Sequence, residues 1–219
     1  RFKAKASKAK AAQSRVKMLD KMKPQEQLTF DKDLDFEFPY SEMSAKRVAQ
    51  VDELSFGYDG HLELFHGLEA RIGKGDRIGI IGPNGRGKST LLRLIIGDLT
   101  PTQGSVELND QAKVGYFGQT HIQRLIHTNT IEQEVLRCLP EHNLTKARNL
   151  AGCMLFEGDD ALKKIEVLSG GEKSRVLIAQ LLATPNNLLI LDEPTNHLDM
   201  ESIDSLTESL HAYPGTVMI

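Results

Sequence analysis

Hydrophobic and polar residues follow different patterns before and after about residue 48. The stretches "AQVDELSFGY" (49–58) and "LELFHGLEARI" (62–72) alternate between apolar and polar positions, which predicts two antiparallel strands. Farther along, short apolar runs alternate with segments in which apolar residues have a helical spacing. Because strand–helix–strand alternation is typical of parallel sheets covered by helices, the pattern predicts an α/β fold.

The other elements are predicted from the same patterns and from their glycine and proline boundaries. Buried strands are expected in "DRIGIIG", "NLLILDEP" and "TVMI". Helices are expected in "KSTLLRLIIGDL", "GGEKSRVLIAQLLATP" and "MESIDSLTESLHAY", with further helices in residues 128–156 on either side of Pro140. "GSVELND" and "KVGYFGQ" are expected to form a further pair of strands.

The first 46 residues divide into two segments of different character. Residues 1–23 are rich in Ala, Lys, Arg and Gln and hold no Gly or Pro, which predicts a helix with a narrow apolar stripe. That helix would either pack on a partner helix or be a solvated linker, and its composition allows both. Residues 24–46 alternate acidic and apolar side chains, which predicts an extended acidic tether, with one edge strand in it as an option.

Charge is unevenly distributed along the chain. Residues 1–23 carry nine basic side chains and one acid, whereas the 219 residues together have a net charge of −3. Contact with nucleic acid would therefore be concentrated in the basic segment. The apolar runs are too short to cross a bilayer. Cys138 and Cys153 lack the close spacing of metal ligands, so both are predicted to be free thiols in a reducing, cytoplasmic compartment.

The nonapeptide "GPNGRGKST" fits the phosphate-binding pattern G-x-x-x-x-G-K-[ST] and stands between a predicted strand and a predicted helix. Its glycines would let the backbone wrap around an anion, toward which N–H groups and the helix N-terminus point. Lys88 would neutralise the β- and γ-phosphates, Ser89 would suit Mg²⁺, and Thr90 would suit the α-phosphate region. The candidate nucleotide-binding residues are Gly82, Pro83, Asn84, Gly85, Arg86, Gly87, Lys88, Ser89 and Thr90. Arg86 is expected to point to solvent, with contact to phosphate or to a facing domain as the alternative.

Two acids, Asp192 and Glu193, directly follow the apolar run "LLIL". Since ligands of parallel α/β sheets bind at the carboxyl ends of the strands, Asp192 is predicted to hold Mg²⁺ directly or through water. Glu193 is predicted to be the general base that orients and polarises the attacking water. Gln119 follows another predicted strand and is the candidate polar contact to the metal or the water.

A second glycine turn, "LSGGEKSRV" (168–176), also precedes a predicted helix. Ser169 and the amides near Gly170 and Gly171 would form another anion receptor. A single nucleotide hardly requires two receptors, so the presence of both needs an explanation.

In this order, "GPNGRGKST", Gln119, "LSGGE", "LLILDEP" and "NHLD" resemble the motifs of the nucleotide-binding domain of ATP-binding-cassette (ABC) proteins. The resemblance covers residues 48–219. It implies a P-loop NTPase fold over residues 47–219, with an antiparallel β subdomain and a helical subdomain at about residues 121–180. It also implies that two such domains face head to tail, so that each ATP lies between one domain's phosphate loop and the other domain's LSGGE turn.

The resemblance implies roles for further residues. Tyr58 matches the aromatic residue that stacks on adenine, with a strand-end aromatic packed on the core as the alternative. The loop from Asn196 to Asp199 would lie at the seam between the domains. Lys88, Gln119 and Glu193 would carry ATP hydrolysis. Family members have a switch histidine just after the strand that here reaches Ile219, and no histidine of this chain occupies that position. The chain is therefore expected to be a fragment with weak ATPase activity in isolation.

The stretch "DEPTNHLD" (192–199) and the basic segment "RFKAKASKAKAAQSRVKMLDKM" resemble the ABC-F branch, whose members carry two ABC domains on one chain and no membrane domain. ABC-F proteins join their domains with a helical hairpin that enters the ribosome and touches transfer RNA. The resemblance implies that residues 1–23 end this hairpin and that a second ABC domain precedes Arg1. The implied function is ribosome binding and regulation of translation through ATP-dependent closure. The alternatives are the nucleotide-binding subunit of a membrane transporter and a DNA-structure-binding ABC-F relative.

Overall fold

The computed structural model describes residues 34–58, 63–196 and 198–219, so the predicted basic helix (1–23) lies outside the described residues. The chain combines strands and helices and contains a parallel sheet, which confirms the predicted α/β fold. In chain order they are β1 (Arg47–Phe56), β2 (Phe65–Gly73), β3 (Arg77–Ile78), α1 (Lys88–Ile95), β4 (Gln103–Leu108), β5 (Val114–Phe117), α2 (Gln119–Ile122), α3 (Ile131–Leu136), α4 (Leu144–Cys153), α5 (Gly170–Ala183), β6 (Leu188–Leu191), α6 (Met200–Ala212) and β7 (Thr216–Met218).

The first sheet is antiparallel and has the order β2–β1–β4. Val51, in the central strand, lies opposite Ala70 of β2 and Val106 of β4. Val51, Leu54 and Phe56 are buried and pack with Leu94 of α1, so this sheet covers the helix that follows the phosphate loop. The alternating pattern of the sequence therefore predicted β1 and β2 correctly.

The predicted pairing of "GSVELND" with "KVGYFGQ" is wrong. The first of these stretches forms β4 and pairs with β1, whereas the second forms β5 and pairs with β6 of the other sheet. Hydrophobic alternation shows that a segment is a strand, but it does not identify the partner strand when that partner is distant in sequence.

The second sheet is parallel and has the order β3–β7–β6–β5. All four residues of β6 are buried, as predicted for "NLLILDEP". The predicted buried strand "DRIGIIG" is only partly correct, because β3 ends at Ile78 and Ile81 is 98% exposed. Within the described residues β3 is an edge strand with β7 as its single neighbour, which accounts for its incomplete burial.

The described part of the predicted tether, residues 34–46, packs into the body of the chain. Leu34, Phe36 and Phe38 are buried in the largest core cluster, while the intervening Asp35 and Glu37 are exposed. The carbonyl of Phe36 accepts a hydrogen bond from the hydroxyl of Ser209 in α6. In this extended segment the apolar residues therefore face the core and the alternating acidic residues face solvent.

Helices α3, α4 and α5 pack together and share the largest core cluster with β5 and β6. Helix α3 begins with a capping box between Thr130 and Gln133, and Pro140 lies between α3 and α4 as predicted. None of the helices in the described ranges combines the length and apolarity needed to span a membrane.

Candidate functional site

The predicted phosphate loop lies between β3 and α1, and Gly87 is the N-cap residue of that helix. Gly85 and Gly87 adopt left-handed backbone angles, with φ of 76° and 91°. A Cβ atom on Gly87 would also lie 2.7 Å from the ring of Phe65, so this position requires glycine for two reasons. Gly82 has neither a left-handed φ nor a close neighbour, so the conformational argument for a glycine applies to Gly85 and Gly87 and not to Gly82.

The ammonium group of Lys88 lies inside its own loop. It donates to the carbonyls of Gly82 and Pro83 at 2.9 and 3.2 Å and to Oδ1 of Asn84 at 3.3 Å. Phosphate oxygens are stronger acceptors for an ammonium group than neutral carbonyls, so an anion in the loop could take over these hydrogen bonds.

A cavity of about 430 Å³ opens beside the loop. This volume lies within the usual range of small-molecule sites. The lining residues are Tyr58, Leu64, Asn84, Gly85, Gly87, Lys88, Ser89, Thr90 and Glu193. The hydroxyl of Tyr58 is 3.2 Å from Oγ1 of Thr90, and the side chain remains 43% exposed. Arg86 is exposed and does not line the cavity.

A second, smaller cavity of about 40 Å³ adjoins the first, because Ser89 and Glu193 line both. Its walls also include Gln119, at the start of α2, and Asp192, at the end of β6. The hydroxyl of Ser89 donates to Oδ1 of Asp192 at 2.8 Å. The structure therefore brings together the three predicted metal ligands, which are distant in sequence.

The donor set of the small cavity fits Mg²⁺. This ion prefers oxygen ligands and is usually held by one or two carboxylates together with phosphate oxygens of the bound nucleotide. Asp192 supplies the carboxylate, and Ser89 and Gln119 supply neutral oxygens. The described residues include no group of three or more His, Cys, Asp or Glu side chains that could hold a metal by themselves.

Glu193 adopts a left-handed backbone conformation, with φ of 51°, which is uncommon for a residue other than glycine. Its carboxylate accepts a hydrogen bond from Nδ2 of Asn196 at 2.6 Å, and the Asn196 amide donates to the Glu193 carbonyl at 3.1 Å. The family resemblance implied that Asn196 lies at a domain seam, and it did not predict this contact with Glu193. Their spacing of three residues within a tight turn is the signal that could have revealed it.

Tyr116 of β5 is a second neighbour of the acidic pair that the sequence did not single out. Its hydroxyl donates to Oδ2 of Asp192 at 3.3 Å, and its side chain is 7% exposed. Burial, followed by the negative charge of Asp192, raises the pKa of Tyr116 to about 12. The phenol therefore keeps its proton at neutral pH and remains a donor.

The second glycine turn forms the N-terminus of α5. Ser169 caps the helix by accepting from the Glu172 amide at 3.3 Å, and the Glu172 carboxylate accepts from the Ser169 amide and hydroxyl, both at 2.8 Å. Neither cavity described above has Ser169, Gly170 or Gly171 in its lining. Within the described residues, the LSGGE turn is thus a separate surface.

Replacing Ser169 with alanine should lower the free energy of unfolding by about 1 kcal/mol, because the helix loses its N-cap. The hydrogen bonds from the Ser169 amide and hydroxyl lower the pKa of Glu172. The stabilisation of the folded state by these hydrogen bonds is complete above pH 4.5, the ordinary pKa of a glutamate side chain. It is lost as the pH falls through the lowered pKa of Glu172 in the folded state. In urea unfolding, the difference in unfolding free energy between wild type and Ser169→Ala should therefore be smaller in acid than at pH 7. Ser205→Ala in the middle of α6 is the control, with an expected change within about 0.5 kcal/mol.

An ion pair connects the LSGGE helix to the loop that follows the acidic pair. Arg175 of α5 contacts Oδ2 of Asp199 at 3.2 Å. Asp199 also caps α6, since its Oδ1 accepts from the Ser202 amide at 2.8 Å. Asp199 is thereby paired with the same helix that carries the second glycine turn.

Two sequence profiles, each described as ABC transporter, match residues 65–196 and residues 1–38. The whole chain aligns with the "Probable ATP-binding protein YbiT" of Escherichia coli O157:H7 at 38% identity, and 99% of it aligns with "ABC transporter F family member 3" of Arabidopsis thaliana at 37% identity. The chain spans only 41% and 30% of these two relatives.

Solved structures support the same fold. The structure of a bacterial Atm1-family ABC exporter with ATP bound has a TM-score of 0.67 and 24% identity, over 84% of this chain and 36% of that one. An ABC transporter in an inward-facing conformation has a TM-score of 0.59 and 27% identity, over 80% of this chain and 72% of that one.

Proposed function

Because the chain belongs to the ABC transporter family of ATP-binding proteins, we propose that its two adjoining cavities bind Mg·ATP and hydrolyse it when a second ABC domain closes over the nucleotide. One observation carries this proposal: Ser89 and Glu193 line both cavities, so the phosphate loop and the acidic pair face the same space. The match to an F family member over nearly the whole chain confirms the predicted resemblance to ABC-F proteins.

The larger cavity would hold the nucleotide. Lys88 would leave the carbonyls of its loop for the β- and γ-phosphates, and the amides of the glycine loop would bind phosphate oxygens. Tyr58 would contact the adenine, since its exposed aromatic side chain lines the same cavity. Ser89, Gln119 and Asp192 would hold Mg²⁺, which supplies charge neutralisation for the phosphates when it is bound.

Glu193 would act as the general base. Its carboxylate takes a proton from a water molecule as the water oxygen forms a bond to the γ-phosphorus. The bond between the γ-phosphorus and the bridging oxygen breaks, and ADP and phosphate leave. Asn196 holds the carboxylate of Glu193 in place at 2.6 Å. Lys88 and Gln119 would position the γ-phosphate and the water, respectively.

A second ABC domain of the same polypeptide is the proposed partner. The chain covers 30% to 41% of the relatives named above, which leaves room in such proteins for a further cassette. Ser169, Gly170 and Gly171 would then complete the nucleotide site of that partner domain, which accounts for a second anion receptor that lines neither cavity here.

At the level of the whole protein, we propose a cytoplasmic ABC-F protein that binds the ribosome and regulates translation. Residues 1–23 would end the interdomain hairpin and contact ribosomal RNA and transfer RNA through phosphates, residues 24–46 would connect it to the cassette, and residues 47–219 would form the cassette. Support comes from the nine basic residues of the first segment and from the family profile that matches residues 1–38.

The isolated chain should turn ATP over roughly 100-fold more slowly per site than the full-length protein, because no second domain supplies donors to the transferred phosphate. Phosphate release at matched site concentration measures this difference. Nucleotide binding by the isolated chain is the control, since it shows that the site is folded. Equal turnover by the monomeric chain would contradict the need for a second domain.

A further inference from the structure

We infer that Tyr116 is a positioning residue that fixes the orientation of the Asp192 carboxylate, so that the other oxygen of this carboxylate is presented to Ser89 and the metal. The inference rests on the proposed Mg·ATP site. The two oxygens of Asp192 have separate partners: Oδ2 accepts from the Tyr116 hydroxyl at 3.3 Å, and Oδ1 accepts from the Ser89 hydroxyl at 2.8 Å. Since a carboxylate can only accept, Tyr116 must be the donor.

The Tyr116 side chain, which carries the donor, is packed on several sides. The ring of Tyr116 lies in a core cluster with Leu188 and Ile190 of the neighbouring strand, and the ring of His121 meets it at a centroid distance of 4.6 Å. A Cβ atom on Gly118 would lie 2.7 Å from the Tyr116 hydroxyl oxygen, so the backbone of this glycine passes close to the end of the ring. These contacts leave the hydroxyl little freedom to move away from Asp192.

Asp192, which carries the acceptor, is hydrogen-bonded to β5, the strand that contains Tyr116. The amide of Asp192 donates to the carbonyl of Phe117 at 2.8 Å, directly after the pairing of Phe117 with Leu191. Within the described ranges, Oδ2 of Asp192 receives no other hydrogen bond than that of Tyr116. Loss of the hydroxyl would therefore leave one carboxylate oxygen without a donor and let the carboxylate rotate. Groups that orient a metal ligand in this way usually affect metal affinity strongly.

The test is Tyr116→Phe in the full chain, which keeps the ring and removes the hydroxyl. Tyr213→Phe is the matched control, because Tyr213 is also buried and its hydroxyl has no partner among the described residues. Binding of a fluorescent ATP analogue is measured without metal and then across a Mg²⁺ titration. For Tyr116→Phe we expect half-saturation at about tenfold higher Mg²⁺, with metal-free nucleotide affinity unchanged. Tyr213→Phe should behave as wild type in both measurements.

An unchanged Mg²⁺ requirement in Tyr116→Phe would overturn the inference. An equal loss of affinity with and without Mg²⁺ would also overturn it, because a general packing defect does not distinguish the two conditions. Failure of the wild-type chain to bind the analogue at all would reject the proposed function itself, which separates the two outcomes.

A wild-type measurement keeps the inference testable even if Tyr116→Phe does not fold. The chain has four tyrosines, so fluorotyrosine labelling gives four ¹⁹F resonances. Phe substitutions at Tyr40, Tyr58 and Tyr213 assign three of them and leave the fourth to Tyr116. Adding Mg²⁺ to the nucleotide-loaded chain should shift the Tyr116 resonance and leave that of Tyr213 in place. A Tyr116 resonance that does not respond would contradict the inference.

Discussion

Replacing Lys88 with alanine should weaken ATP binding by about 100-fold, which corresponds to roughly 3 kcal/mol. The ammonium group of Lys88 already makes hydrogen bonds inside the phosphate loop, with distances of 2.9 to 3.3 Å. With ATP bound, its partners would be charged phosphate oxygens, and hydrogen bonds between ionised groups contribute more than neutral ones. Equilibrium titration with ATP and Mg²⁺ measures the change.

Arg86→Ala is the matched control for Lys88→Ala. Both residues are cations of the same loop, but Arg86 is exposed and does not line the cavity. Its removal should change ATP affinity by less than about threefold, since exposed charges in water interact weakly. A large loss in Arg86→Ala would show that this side chain reaches the phosphate. Normal affinity in Lys88→Ala would contradict the placement of the nucleotide.

Replacing Glu193 with glutamine in the full-length protein should slow ATP hydrolysis by a factor of about 100 to 1,000 while ATP still binds. Glutamine has nearly the same shape as glutamate but cannot take the proton from water. Glu193 lines both the cavity beside the phosphate loop and the cavity that contains the predicted metal ligands. Single-turnover hydrolysis and nucleotide binding, measured side by side, separate the chemical step from affinity.

Glu107→Gln provides the comparison for Glu193→Gln, because Glu107 is an exposed acid of β4 that lines neither cavity. Hydrolysis by this variant should stay within about twofold of wild type. If Glu193→Gln hydrolyses ATP at the wild-type rate, another group must take the proton. If it loses ATP binding as well, Glu193 contributes to affinity and its assignment as a base is not supported.

The candidate site could largely be predicted from the sequence because each of its parts is a short contiguous stretch. The phosphate loop and the acidic pair each follow a strand, and parallel strands carry such residues to one edge of the sheet. This arrangement of parallel strands accounts for the 2.8 Å hydrogen bond between Ser89 and Asp192. No local pattern, in contrast, indicates that the Tyr116 hydroxyl reaches Asp192, because this contact depends on the register between two strands.

The errors in the predicted fold have the same origin. Strands β4 and β5 were predicted from their own residues, but their partners are set by contacts between distant segments. The hydrogen bond from the Ser209 hydroxyl of α6 to the Phe36 carbonyl joins positions that are 173 residues apart. Glu193 adopts its left-handed conformation in the turn where Asn196 donates to its carboxylate, and nothing in the residue type predicts that conformation.

Co-sedimentation of the full-length Glu193→Gln protein with ribosomes tests the central claim most directly. Because the variant should hold ATP without hydrolysing it, closed cassettes should accumulate and remain on the ribosome. We predict that the protein pellets with ribosomes in the presence of ATP and not of ADP, less so at high salt, and that branched DNA does not displace it. Absence of ATP-dependent retention, or a clear preference for branched DNA, would contradict the proposed role in translation.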